Sequence, residues 1–304
     1  MLVSGALSLT PSAGGIDWGG GRGIFVCGRD IPENYPTQIN YISIDSTSNS
    51  ADFGDALQGG LCTAGCSNGS RGVFGIFRTG ATTYVNDINY ITIGTLGNAS
   101  DFGDAWSTDG GSARGLSDGS RGIFAGAIDN VIQYFTIATT GNTTDFGDLT
   151  SATKGNPGAS NDSTRGIFYG GYDVSWGRIN NIEYITIQTT GNSTDFGDAT
   201  LADAGAWAGA SDTTRAVFAG NDGNIDYITI QTTGNATDFG DRTTLGRGAA
   251  PCSNGTRAVF AGGYDETTNK VNVIDYITIQ TTSNATDFGD LYTRLNSQAG
   301  LSGD

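Results

Sequence analysis

Hydrophobic and polar residues alternate along this chain in short runs, and the same runs keep returning. One run is Ile-x-Tyr-Ile-Thr-Ile or a near variant, with its Tyr at Tyr41, Tyr90, Tyr134, Tyr184, Tyr227 and Tyr276. Tyr and Thr face one way and the flanking Ile the other, which is the two-residue period of a strand. Because the Tyr side is itself large, both faces are expected to pack, as in a sheet held between other sheets. A second run, Arg-[Gly/Ala]-[Ile/Val]-Phe, starts at Arg22, Arg71, Arg121, Arg165, Arg215 and Arg257. It is short, β-branched and aromatic, and it also reads as a strand. No stretch of the chain carries a helical apolar period, so no helix is predicted.

The third run is Asp-Phe-Gly-Asp, starting at Asp52, Asp101, Asp145, Asp195, Asp238 and Asp287. It reads as a strand with a Gly bulge. The Thr-Thr-Gly-Asn that often precedes it suits a hairpin turn, since Gly and Asn tolerate positive φ. A fourth short strand fits near Gly158-Ala159-Ser160 and the equivalent positions. Successive Asp-Phe-Gly-Asp runs are 49, 44, 50, 43 and 49 residues apart. Six repeats of this length, each with four short strands, predict an all-β, six-bladed β-propeller of four-stranded antiparallel blades.

The repeats place the propeller at residues 22–290. Segments 1–21 and 291–304 both have the length and pattern of an inter-blade linker, yet ring closure needs one of them. Residues 291–304 are expected to supply a closing strand, and 1–21 a closing strand or an assembly arm. A spare strand of this kind can add to a neighbouring subunit. Length varies between the Arg run and the Tyr run, which puts insertions on one face of the ring.

Double Gly, strand Tyr and a large aromatic (Gly170-Gly171, Tyr184, Phe196) resemble the kelch repeat. Kelch blades place Trp where this chain has Phe53, Phe102, Phe146, Phe196, Phe239 and Phe288, and the Tyr-to-aromatic spacing is longer here. The resemblance is to kelch-like propellers generally and implies that fold. The wording Tyr-Ile-Thr-Ile…Gly-Asn-Ala-Thr-Asp-Phe-Gly-Asp also resembles repeat-bearing virion structural proteins of tailed phages, particularly those of cyanobacteria. It runs from Arg22 to Asp290. That resemblance implies a virion component at a particle surface, with other virion proteins or further copies of itself as partners.

Composition narrows the chemistry. The 304 residues contain no His, which removes Ser-His-Asp and Cys-His catalysis and His-ligated metals. Only three Glu are present (Glu33, Glu183, Glu266), and no acidic pair stands apart from the repeat, so no enzyme activity is expected. Asp and Glu outnumber Lys and Arg by 31 to 15, a formal charge of −16. Phosphate binding needs clustered cations, so a nucleic-acid partner is not expected. No apolar run is long enough for a membrane-spanning helix, and Met1–Ala6 lacks the basic start of a secretory signal. Cys27, Cys62, Cys66 and Cys252 read as small buried side chains, Cys66 and Cys252 holding equivalent places in separate repeats.

Within the repeat, each Arg (Arg22, Arg71, Arg121, Arg165, Arg215, Arg257) is expected to pair bidentately with Asp52, Asp101, Asp145, Asp195, Asp238 or Asp287 of its own or the adjacent blade. No cofactor is expected. Calcium at Asp145 and Asp148, or at Asp238 and Asp241, is the lesser alternative to turn capping; each pair stands near an Asn of the same spacing (Asn142, Asn235). The Asn-x-Ser/Thr sequons at Asn98, Asn142, Asn192, Asn235 and Asn284 read as turn chemistry. Residues outside the repeat mark a candidate interaction surface: Trp18, Tyr35, Trp176 and Arg178. Exposed aromatics of that kind suit a protein partner or a sugar ring. The expected function is therefore a structural or interaction protein, with a glycan-binding propeller for host attachment as the alternative.

Overall fold

The computed structural model describes residues 21–303, apart from 32–33, 81–82, 107–112, 127–129, 151–152, 156, 174, 176, 202–207, 266 and 268. Its strands form six antiparallel sheets arranged as a six-bladed β-propeller. Five blades have four strands, and the fourth blade gains a fifth, Thr153–Gly155. In blade 1 the order from the axis outwards is Ala299–Gly303, Arg22–Val26, Gln38–Ser43 and Ala51–Asp55. The inner strands of blades 2 to 6 are Leu61–Ser67, Arg114–Ser117, Gly158–Asn161, Ala208–Ser211 and Ala250–Ser253. The chain's C-terminal strand therefore closes the ring, pairing antiparallel with Arg22–Val26 over five residue pairs. The closing strand or arm expected at 1–21 lies, but for Gly21, outside the described residues.

Burial follows the runs. Ile24, Phe25 and Val26 of the second strand are fully buried, and the third strands bury residues on both sides. Each Asp-Phe-Gly-Asp strand buries only its Phe, and the register slips by one residue opposite it, as between Ile39 and Asn40. The Tyr of the third strand meets that Phe edge-on, at 6.2 Å for Tyr41–Phe53 and Tyr184–Phe196. The core lies between blades. Phe25, Ile42 and Ile44 of blade 1, for example, share one cluster with Cys252, Val259, Ile274 and Phe288 of blade 6. All four Cys are buried, and burial pushes their thiols up.

Three hydrogen bonds recur at every seam between blades. The repeat Arg donates from Nη1 to the carbonyl that closes the next blade's Tyr-Ile-Thr-Ile run, at 2.5–3.1 Å: Arg22 to Ile93, Arg71 to Ile137, Arg121 to Ile187, Arg165 to Ile230, Arg215 to Ile279 and Arg257 to Ile44. The last Asp of each outer strand donates its N–H to a hairpin Asn of the next blade, as Asp55 does to Asn98 Oδ1 at 3.0 Å. The same Asp accepts at its carbonyl, as Asp55 does from the Ala99 N–H at 2.8 Å. The hairpin thus lies along the neighbour's outer strand. Gly in that strand is required there: at Gly103, with φ +146°, a Cβ would stand 2.5 Å from the Gly141 carbonyl oxygen.

These contacts correct the expected Arg–Asp pairing. None of the six Arg pairs with Asp52, Asp101, Asp145, Asp195, Asp238 or Asp287; each instead stacks over the Tyr of its own blade, 4.3–5.0 Å from the ring centre, and reaches a carbonyl. The reason is placement. The Arg begins the second strand, where the next blade's third strand ends, whereas the six Asp are exposed on the outer rim and remain solvated.

Candidate interaction faces

The topology gives the ring two unlike faces. One end of each blade carries the hairpin from third to outer strand and, in blades 2 to 6, the turn from inner to second strand. The other end carries the second-to-third links and the linkers to the next blade.

One motif recurs on the turn face. Asp118, Asp162 and Asp212 accept backbone N–H bonds from the two residues leading into the next strand, as Asp212 does from Thr214 and Arg215. Their second oxygens accept the amides of Gln188, Gln231 and Gln280 from the following blade. At the seam from blade 6 to blade 1 the roles reverse: Asn254 donates to Asp45 at 2.7 Å. Donor and acceptor are exchanged and the bond survives. Burial opposes ionisation of Asp212, yet the Gln280 amide and the turn N–H groups hold its carboxyl below the ordinary range.

The rim between the faces carries the twelve carboxylates of the six Asp-Phe-Gly-Asp strands, ten of them exposed and Asp148 and Asp290 half-buried. Asn142 Oδ1 and Asn235 Oδ1, the proposed companions of Asp145–Asp148 and Asp238–Asp241, are committed to the N–H groups of Asp104 and Asp198. The same bond engages the other sequon Asn residues, Asn98, Asn192 and Asn284. Among the described residues no three Cys, Asp or Glu converge as a metal-binding group.

The loop face is irregular. From the Phe of the second strand to the Tyr of the third is 16 residues in blades 1, 2, 4 and 6, but 10 in blade 3 and 9 in blade 5. The nine basic residues outside the repeat all belong to these links, these linkers or the strand ends beside them. Six of the seven large hydrophobic side chains exposed among the described residues lie here too: Ile31, Leu57, Trp106, Leu201, Leu245 and Tyr292. Leu57, Trp106 and Tyr292 occupy equivalent positions in blades 1, 2 and 6, directly after the outer strand. Blades 3, 4 and 5 have Thr150, Thr200 and Thr243 there.

Beneath this face lies a ring of buried polar side chains at the x of Ile-x-Tyr: Asn40, Asn89, Gln133, Glu183, Asp226 and Asp275. Five accept the N–H that follows the preceding blade's outer strand, from Leu57, Trp106, Thr150, Thr200 and Thr243. Asp275 also holds Arg242 in a buried ion pair at 3.1 Å. Asp226 takes the hydroxyls of Tyr169 and Thr200, and burial beside Asp226 pushes the Tyr169 phenol up. The links of blades 6 and 1 are tied together, Arg29 to the Tyr264 hydroxyl and Lys270 to the Asp30 carbonyl, each at 2.6 Å.

The inner strands line an axial cavity of about 110 Å³. Its wall is rich in Gly and Ser, with Arg114 and Asn161 also lining it, and the Ser hydroxyls step around it: Ser253 to the Ser211 carbonyl, Ser211 to Asn161, Ser117 to Ser67, and Ser67 to Ser302. Close approach sets the composition, since a Cβ on Gly115 would lie 2.5 Å from the Gly65 carbonyl oxygen.

Of the residues expected at an interaction surface, Tyr35 and Arg178 are half-buried on the loop-face links of blades 1 and 4. Trp18 and Trp176 lie outside the described residues. Trp106, a Trp outside the repeat blocks, is exposed; the equivalent Tyr292 was missed, and the signal was their shared place after Asp-Phe-Gly-Asp. No known family model matches the chain, and no curated protein matches it in sequence.

Proposed function

We propose that this chain is a non-enzymatic structural and interaction protein, a component of a tailed-phage virion, which binds its neighbours through the loop face. The observation that carries the reading is the contrast between faces. Turn face and rim carry recurring blade-to-blade bonds, Asp to Gln or its reverse at four seams of the turn face and Asp N–H to hairpin Asn at all six seams of the rim. The loop face gathers the exposed Leu57, Trp106 and Tyr292 beside the unrepeated basic residues, of which Arg114, Arg242 and Lys270 are buried beneath it. Exposed aromatic and aliphatic anchors amid mixed charge are what a protein interface uses. The virion setting rests on the wording of the repeats, and it implies a location on the particle surface.

Immunogold labelling of purified particles tests this reading. Gold on tails, fibres or capsids is expected, and Trp106→Ala with Tyr292→Ser should abolish incorporation of a folded protein. Recovery only outside particles would refute it. A glycan-binding propeller is the second reading, favoured by Trp106 at 68% and Tyr292 at 76% exposure, open enough to stack on sugar rings. A glycan array on the purified chain separates the two.

A further inference from the structure

We propose that the closing strand Ala299–Gly303 exchanges between copies, so that one molecule's strand completes blade 1 of another. The inference deepens the assembly reading above by naming a second copy of this chain as the partner. Connectivity makes this strand unlike the other five inner strands. Each of those is joined to its second strand by a tight turn, whereas no turn joins Ala299–Gly303 to Arg22–Val26. It is held in its groove by strand pairing and packing and not by a turn, and all five residue pairs re-form in the partner.

The linker that delivers the strand is where the fold is least satisfied. Ser297 sits at φ +57°, left-handed backbone that a residue with a Cβ adopts at a cost. Thr293 Oγ1, Asn296 Oδ1 and both polar side-chain atoms of Gln298 are buried without a hydrogen-bond partner. Asn40, at the ring position that elsewhere accepts a bond from the preceding linker, lacks one at both side-chain polar atoms. The Tyr292 N–H goes to Ser50 Oγ instead. Opening this linker relaxes Ser297 and exposes those groups to water, while the strand keeps its contacts in the neighbour. A strained hinge next to an exchangeable element is the condition under which strand swapping costs least.

The test is to hold the protein at high concentration just below its melting temperature, cool it, dilute it, and measure mass by light scattering after gel filtration. Dimers or longer species that persist on dilution are expected. Ser297→Gly should reduce their yield several-fold, and deletion of residues 299–304 should abolish them. A wild-type protein that stays wholly monomeric overturns the proposal, as do oligomers that Ser297→Gly leaves unchanged or that survive the deletion. Should the shortened chain fail to fold, Ile24→Cys and Leu301→Cys on separate copies replace it. These positions are register partners, so a disulfide-linked dimer on co-refolding supports exchange, and its absence refutes it. Immunogold labelling of particles is independent of this outcome, so the two readings fail separately.

Discussion

Replacing Arg165 with Ala tests what holds the blades together. The guanidinium donates to the Ile230 carbonyl at 2.9 Å and lies 4.3 Å from the centre of the Tyr184 ring. A hydrogen bond from a charged donor is worth about 1.5–3 kcal/mol. Stacking a half-exposed cation on a ring adds about 0.5–1 kcal/mol. The variant should therefore lose about 2–4 kcal/mol. At ~2 °C per kcal/mol, the lower slope that suits a large domain, Tm falls by roughly 4–8 °C. Calorimetry with matched urea unfolding reads both quantities. The partner experiment is Asp195→Asn. That carboxylate is exposed on the rim, so its loss should change stability by less than ~0.5 kcal/mol. An Asp195→Asn cost equal to that of Arg165→Ala would refute the carbonyl lock and restore an Arg–Asp pair. So would a negligible cost for Arg165→Ala itself.

Further expectations follow from other seams. Gly103→Ala forces a Cβ against the Gly141 carbonyl and should cost more than ~1 kcal/mol, read as a lower Tm. Asn254→Asp sets two carboxylates face to face across the seam between blades 6 and 1 and should lower stability by about 0.5–1 kcal/mol. Adding Asp45→Gln restores the arrangement of the other seams, so the double variant should recover most of that loss in a double-mutant cycle. Asp212 titrates below its unfolded value, so its stabilisation is complete above the ordinary carboxylate range and disappears as pH falls through the lower folded value. Asp212→Asn should flatten the acid limb of stability against pH. Tyr169→Phe strips a hydroxyl donor from buried Asp226 and should cost about 1.5–3 kcal/mol in urea unfolding.

Blade count, strand identity and the bulge in Asp-Phe-Gly-Asp were legible because sixfold copying turns a weak strand signal into a pattern. The fourth strand near Gly158 was legible from its place before an Asn/Asp turn. What carries the seams was not. Arg and Asp recur in register, and charge complementarity suggested a pair. A backbone carbonyl leaves no mark in a sequence, so the true acceptor, such as Ile230, was invisible. The buried polar ring at Asn40, Asn89, Gln133, Glu183, Asp226 and Asp275 did leave a mark: a polar residue kept between Ile and Tyr in a strand packed on both sides. Its partners are backbone N–H groups of another blade, which only the assembled ring brings close.

The hairpin laid along each outer strand has a further consequence. A propeller of this size presents six sheet edges to solvent, and an open edge is a template for other chains to pair with. Here the outward N–H and carbonyl of the last Asp in every outer strand are already taken by the next blade, all the way round from Asp55 to Asp290. Twelve carboxylates stand over the same edges. The circumference is thus closed to edge-to-edge pairing twice, by occupancy and by charge. Molecules crowded side by side should resist cross-β aggregation even though every blade is a sheet with an outer edge.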